Sequence, residues 1–410
     1  MDPQQPGPPP QPGPYSQPGQ QPPPPPHPGA PGPPSQPGPY GQPGPYGQPG
    51  PYGQPGQYGQ PGPYPQPWGQ PGSYPQPGPY PAQYGVREPR IVPAPTGTPF
   101  HRLGRTPKHV WWRPIAGTIL LGLCGFFVMM FVVLAWAIVH ELLAGSFPAP
   151  SGTDIFPSDT ENLALSLVLL GVLTPLVGVA AWLVQRRPFW SVASVLNRIR
   201  WRWLLWCCLP ALGYVVLSYL MGLLVDAVAP PEDAIGSEGG AWIGFGAFVV
   251  PALVILILVP FQSTAEEFVF RGWLIQAVGA YGPDSAANTD GKAPWLRKLF
   301  RSPWPGIVVG GAAFVLGHGY SGWAMADVFV FAVTVGWLTV RTGGLEAAIA
   351  LHVLNNLIAF LLPAAMGHGA EWDQQGSAPW TLLATDAVCL AVYAYAVTWL
   401  ARRREVVRLS

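Results

Sequence analysis

Apolar blocks of about 20 residues recur along most of this chain and constrain its fold more than any other feature. Between Val110 and Ala401 only short polar connections separate them. About 20 apolar residues is the length of helix that spans a bilayer. The sequence therefore predicts an all-α, polytopic membrane bundle. We expect about eight transmembrane helices, over residues 115–143, 162–184, 203–225, 241–264 (with a helical continuation to 279), 305–317, 324–340, 344–362 and 379–401.

Charge alternates between the connections and supports an even number of spans. Lys and Arg precede the first span and follow the second, fourth, sixth and eighth, whereas the other connections contain neither. Because cations concentrate in cytoplasmic loops, both termini are predicted to be cytoplasmic, in an integral protein of the bacterial plasma membrane. The basic, aromatic stretch 186–203 is predicted to be an amphipathic helix on the inner surface.

The first 107 residues differ sharply from the rest and form a predicted tail rich in Pro, Gly, Gln and Tyr. Within it, residues 41–64 repeat every six residues and place a tyrosine in each repeat. Proline removes backbone donors and glycine raises chain entropy, so we expect a disordered arm. It is either a ligand for a proline-recognising partner or a spacer. Residues 108–410 form the membrane domain, and no nucleic-acid partner is expected.

The segment "STAEEFVFRGWLIQ", residues 263–276, places three charges inside an apolar run. A charge at the centre of a bilayer costs about 2.5 kcal/mol or more, so such residues mark functional sites by default. On a helix, Glu267 and Arg271 share a face and can form an ion pair, while Glu266 points about 100° away. One carboxylate is neutralised locally and the other is left without a partner.

Two further polar spots lie on later spans. "FVLGH" carries His318 four residues after Phe314, and "HVLNN" carries Asn356 four residues after His352. Counted from the nearest cytoplasmic connection at about 1.5 Å per residue, Glu266, His318 and Asn356 each lie roughly 20 Å deep, and His352 about 14 Å. The sequence therefore predicts a buried polar cluster.

Such a cluster suits hydrolysis of an amide. A desolvated carboxylate can take a proton from water, and a histidine beside it can hold that water. A second histidine and an amide can donate to the developing oxyanion. No covalent nucleophile is needed for this chemistry.

At these residues the sequence resembles the CPBP family of intramembrane glutamic proteases, which includes the type II CAAX prenyl endopeptidases and the bacteriocin-processing or Abi-like proteins. That family carries E-E-x-x-x-R, F-x-x-x-H and H-x-x-x-N motifs on successive helices, which read here "EEFVFR", "FVLGH" and "HVLNN" within about residues 203–362. The resemblance implies that Glu266 and His318 activate water, that His352 and Asn356 form the oxyanion site, and that Glu267 and Arg271 support the helix. The implied substrate is a membrane-borne peptide, with or without a prenyl group, and no cofactor is implied.

Two alternatives remain open from the residues. A zinc enzyme would use Glu266, His318 and His352 as ligands, although no H-E-x-x-H pair occurs. A non-catalytic scaffold or transporter-like protein would use the cluster to bind or conduct an ion. The four cysteines all lie in apolar blocks and suggest neither a zinc knuckle nor a disulfide framework.

Overall fold

A computed structural model describes residues 89–148, 154–235, 240–282, 294–367 and 376–410. The predicted tail up to residue 88 lies outside these ranges. Within them no β-strand forms, which confirms the all-α membrane fold. The α-helices are α1 Trp112–Ala144, α2 Asp159–Gly171, α3 Leu173–Leu183, α4 Trp201–Val228, α5 Phe245–Glu266, α6 Ile275–Gly279, α7 Pro294–Arg301, α8 Trp304–Leu316, α9 Gly322–Thr342, α10 Glu346–Ala365 and α11 Trp380–Arg403. A π-helix, Glu267–Leu274, joins α5 to α6, and α2 with α3 forms one span that breaks at Val172.

Backbone hydrogen bonds place the connections at two opposite ends of the bundle. At one end, Gly97 donates to Ser410, and Val195 donates to Gly343 between α9 and α10. We call this end the terminal face. At the other end, Ile243 donates to Ala365 at the end of α10. The helices therefore run alternately away from and back to the terminal face, as the alternation of charge predicts.

One of the eight predicted spans is shorter than the rest. Among the described residues, seven helical segments are long and apolar enough to cross a membrane, whereas α8 has 13 residues. At 1.5 Å per residue α8 is about 20 Å long, less than the roughly 30 Å of bilayer hydrocarbon. The turn that follows α8 reaches the segment ahead of α11, where the Ser321 N–H donates to the Gly376 carbonyl.

Residues 89–107, which the sequence assigns to the tail, pack against the helices. Phe100 and Leu103 are buried, and Arg105 donates to the carbonyl of Ala280 at 2.8 Å. The Thr98 N–H also donates to Ser410 Oγ at 3.0 Å, and the Ser410 N–H donates to the Thr98 carbonyl at 3.0 Å. The predicted boundary at residue 107 thus lies too late in the chain. A few apolar residues between prolines suffice to anchor this segment when a helical surface is already present.

The prediction of an amphipathic helix over 186–203 is wrong. The stretch contains a single 3₁₀ turn, Phe189–Val192, and α4 begins only at Trp201. The basic residues instead serve local contacts: Arg200 donates to Glu346 through Nε at 2.8 Å and through Nη2 at 2.6 Å. Because Glu346 is fully buried, this ion pair fixes the start of α4 to the start of α10.

Candidate active site

The central carboxylates lie where the fourth span changes its helical form. Glu266 ends α5, and Glu267 begins the eight-residue π-helix. Long π-helices are rare and occur mostly at functional sites, because each widened turn gives up regular i to i−4 bonding. The sequence predicts a continuous helix here and contains no signal for this change.

Glu267 joins the π-helix to α10 inside the bundle. Its Oε1 accepts from Arg271 Nη1 at 2.9 Å and from His352 Nδ1 of α10 at 2.7 Å. Glu267 is fully buried and Arg271 is 1% exposed. The ion pair predicted from the i, i+4 spacing therefore forms, and it also orients a histidine from another helix.

Glu266 lies between the two histidines. Its Oε2 is 3.4 Å from His352 Nε2 and 3.9 Å from His318 Nε2, while Glu266 itself is 5% exposed. Within the described residues this oxygen accepts no hydrogen bond, although it is buried. The depth counts thus predicted a real proximity, because α5, the turn after α8 and α10 bring these three side chains to one level.

The hydrogen bonds also indicate the tautomers of the two histidines. His318 Nδ1 donates to the carbonyl of Phe314 at 2.7 Å, and His352 Nδ1 donates to Glu267. When each imidazole is neutral, its Nε2 therefore carries a lone pair. Both lone pairs point toward Glu266 Oε2, so the site presents three acceptor atoms to any proton donor between them.

Two residues that the sequence reading missed complete the surroundings of Glu266. Gln262 Nε2 donates to Glu266 Oε1 at 2.8 Å, and Gln262 Oε1 accepts from Ser263 Oγ at 3.0 Å. Asn356 Nδ2 donates to both Gln262 Oε1 and Ser263 Oγ, at 3.3 Å each. The spacing could have identified Gln262, since it lies one turn before Glu266 on the same face. In the structure Asn356 therefore contacts this chain of amides rather than the histidines.

Close packing of α8 sets the position of His318. A Cβ at Gly306 or Gly310 would lie 2.8 Å from the carbonyl of Ile275 or 2.7 Å from that of Phe270. These glycines are four residues apart and let the helix backbones approach closely, as small residues do between membrane helices. His318 itself lies in the turn just beyond α8, so the helix end carries it into the site.

Phe314 forms the aromatic wall of the site. The guanidinium of Arg271 lies 4.1 Å from its ring centroid, and the rings of His318 and His352 lie 4.2 Å and 5.7 Å from it. A cation on an aromatic face gains about 0.5–2 kcal/mol, more where water is excluded. Phe314 therefore packs against the positive end of the ion pair and both imidazoles at once.

The zinc alternative requires Glu266, His318 and His352 to be arranged as metal ligands. Among the described residues, no group of three or more His, Cys, Asp or Glu side chains is arranged to hold a metal ion. Glu266, His318 and His352 are nevertheless neighbours, so the zinc alternative is decided by measurement.

Comparison with known proteins agrees with the position of this site. The sequence model of a family described as "Type II CAAX prenyl endopeptidase Rce1-like" matches residues 247–358, which contain all three motifs. The chain is also similar to YyaK of Bacillus subtilis (strain 168), described as an uncharacterized protein. The two are 25% identical over 259 residues, which is 60% of this chain and 76% of YyaK. No solved structure matches the chain.

Proposed function

We propose that the protein is an intramembrane endopeptidase in which Glu266 activates water, because residues 247–358 match the sequence model of the type II CAAX prenyl endopeptidase Rce1-like family. The observation that carries this proposal is the convergence of two imidazole nitrogens on one buried carboxylate oxygen, at 3.4 and 3.9 Å. A water molecule between these three acceptors would donate one hydrogen to Glu266 and one to a histidine. Its remaining lone pair would then face a substrate carbonyl.

The charges of the cluster support general base catalysis. Glu266 and Glu267 are acidic and Arg271 is basic, so the three together carry one negative charge when ionised. Proton transfer from water to Glu266 would move this negative charge onto the hydroxide oxygen and then onto the oxyanion that attack forms, where hydrogen-bond donors can stabilise it. Glu266 would accept that proton as the hydroxide oxygen attacks, and would later pass it to the departing amine.

His352 has the surroundings of an oxyanion donor. In this step His352 would carry a second proton on Nε2, taken up from solvent before the substrate binds, and the Glu267 carboxylate would hold the imidazolium at its Nδ1, 2.7 Å away. It would then donate through Nε2 to the oxygen that becomes negative during attack. Asn356 can join it by exchanging one of its two long 3.3 Å hydrogen bonds for the same oxygen.

The substrate is proposed to be a membrane-borne peptide, prenylated in the manner that the family description implies. Glu266 lies inside the fourth span, and the bundle surrounds it with apolar helices, so a water-soluble chain has little reason to reach it. A lipid-anchored peptide concentrates at the membrane and has to move only a short distance to reach Glu266.

The experiment compares the full-length wild-type protein with Glu266→Gln in proteoliposomes, using a fluorogenic farnesylated peptide that ends in a CAAX sequence. General acid–base catalysis contributes about 10²–10⁴-fold, so we expect at least a hundredfold loss of cleavage. Asp386→Asn is the matched control, because it removes a membrane carboxyl that bonds to Tyr214 instead of to the site. Equal cleavage by Glu266→Gln and the wild type would reject the proposal.

Inactivity of the wild type on this peptide and on its unprenylated form would favour the scaffold or transporter-like alternative. A difference between the two peptides would test the prenyl requirement separately. The proline-recognising partner proposed for the tail is independent of this activity, because the tail lies outside the catalytic motifs.

A further inference from the structure

An apolar groove runs along α10 on a different face from the active site. It has a volume of about 550 Å³ and is lined by residues of α3, α4, α5, the π-helix and α10, among them Thr174, Leu204, Cys208, Pro260 and Phe268. Its floor includes Ile349 and Val353. At 100° per residue these two point about 60–100° away from His352, and no catalytic-site side chain is among the described residues that line the groove.

A second cavity continues the groove toward the terminal face. The two cavities share Trp190, Ile199 and Trp201, so they adjoin, and the second is also lined by Arg198, Arg200 and Arg202. We call this second cavity the mouth. The apolar groove therefore opens into a cationic, aromatic vestibule.

The cations of the mouth are not all used within the protein. Arg200 is held by Glu346 and by backbone carbonyls. Arg198 and Arg202 are exposed, and neither forms an ion pair within the described part of the chain. Two cations thus face outward without a neutralising carboxylate.

The position of the mouth matches the polar boundary of a membrane. Trp190 and Trp201 are 45% and 68% exposed, as is usual for aromatic residues at the level of lipid headgroups. The 28-residue helix α4 begins at Trp201, so the positive end of its dipole adds to the charge of the arginines. From Phe268 to Pro260 the groove then extends about 12 Å along the helix axis toward the membrane interior.

We propose that the mouth and the groove bind one anionic phospholipid. The phosphate would contact Arg198 and Arg202, the tryptophans would flank the glycerol region, and one acyl chain would lie in the groove between α4 and α5. Charge complementarity decides the occupant, because the groove alone would accept any apolar chain, whereas the mouth selects a negatively charged head. The volume falls within the usual range for ligand sites, about 300–1,000 Å³. This binding does not depend on the proposed peptidase activity.

Native mass spectrometry of the full-length protein, titrated with phosphatidylglycerol or with phosphatidylcholine of the same acyl chains, tests the proposal. We expect tighter binding of phosphatidylglycerol, and about 30-fold weaker binding of it by the double variant Arg198→Gln/Arg202→Gln. The double variant Arg341→Gln/Arg402→Gln removes two exposed cations near the same end of the bundle, outside the mouth, and should bind as the wild type does.

A second variant tests the groove itself. Cys208→Phe fills the groove and leaves the mouth unchanged, and it should weaken phosphatidylglycerol binding to a similar degree. Cross-linking of the wild type by phosphatidylglycerol with a photoreactive acyl chain should label α3, α4, α5, the π-helix or α10, which gives a readout that does not depend on how the variants fold.

Four results would overturn the proposal. These are equal affinity of the wild type for the two lipids, equal loss in both arginine double variants, unchanged binding by Cys208→Phe, and cross-links confined to other helices. Displacement of the photoreactive lipid by a farnesylated peptide, with no preference for anionic lipid, would assign the groove to substrate instead.

Discussion

Arg271 can be removed in two ways that the structure predicts to differ greatly in stability. The variant Arg271→Met leaves Glu267 fully buried without its cationic partner. Breaking a buried ion pair from one side costs about 3–5 kcal/mol. Loss of the contact between the guanidinium and Phe314, 4.1 Å away, adds about 0.5–2 kcal/mol. The expected loss is therefore roughly 3.5–7 kcal/mol, which is large against the total stability of a protein.

The double variant Arg271→Met/Glu267→Gln should recover much of that loss. It removes both charges from the interior, and the glutamine oxygen can still accept from His352 Nδ1. Replacing a buried pair by neutral groups is often close to neutral in stability. The double variant should therefore be more stable than Arg271→Met alone, even though it carries one more substitution.

Unfolding in mixed micelles, followed by circular dichroism as denaturing detergent is added, measures these differences. Arg402→Met is the matched control: its side chain is exposed at the end of α11, and the change should stay within about 0.5 kcal/mol. A loss below about 1 kcal/mol in Arg271→Met, or a double variant no more stable than the single one, would refute the assignment of a desolvated ion pair.

Three further predictions follow from other contacts. Gln262→Leu removes the hydrogen-bond donor to Glu266 Oε1, and because Gln262 positions that carboxylate, the variant should lower kcat with little change in KM. An effect on KM alone would contradict this role. Gly310→Val should reduce both stability and cleavage, because a Cβ at this position would lie 2.7 Å from the carbonyl of Phe270 and would push α8 away. Gly213→Ala should change neither, because a Cβ there meets no atom within 4 Å. Burial lowers the pKa of His101 below 6.5, so the folded state binds this proton less readily than the unfolded one. The melting temperature should fall as pH drops below 6.5, and His101→Gln should reduce this dependence of melting temperature on pH. The same dependence in the variant and the wild type would contradict the prediction.

Metal removal separates the two enzymatic hypotheses. If Glu266 and the histidines act without a metal, cleavage by the purified protein should persist after dialysis against a chelator. Metal analysis of the same sample should then show no zinc bound in proportion to protein. Loss of cleavage that zinc alone restores would instead support the zinc alternative.

The sequence determined the fold class of the protein and the side chains that meet at its candidate site. Apolar block length and the alternation of charge predicted the spans and their relative direction, because bilayer thickness and the placement of cations act on each segment separately. The isolated charges of "EEFVFR" were equally informative, since lipid makes an unneeded charge expensive. The depth of Glu266, His318 and His352 followed from counting residues along helices of known rise.

Only the tertiary structure decided which atoms meet. The π-helix after Glu266, the anchoring of residues 89–107 and the role of Gln262 depend on contacts between segments far apart in the chain. The helix or strand propensity of a local segment does not encode these contacts. The same holds for residues 186–203, whose composition is typical of a surface helix. In the structure, Arg200 of this stretch pairs with Glu346, and Arg198 and Arg202 line the mouth of the groove. Where partners lie on other helices, the free energy of pairing buried polar groups outweighs the preference of the segment itself.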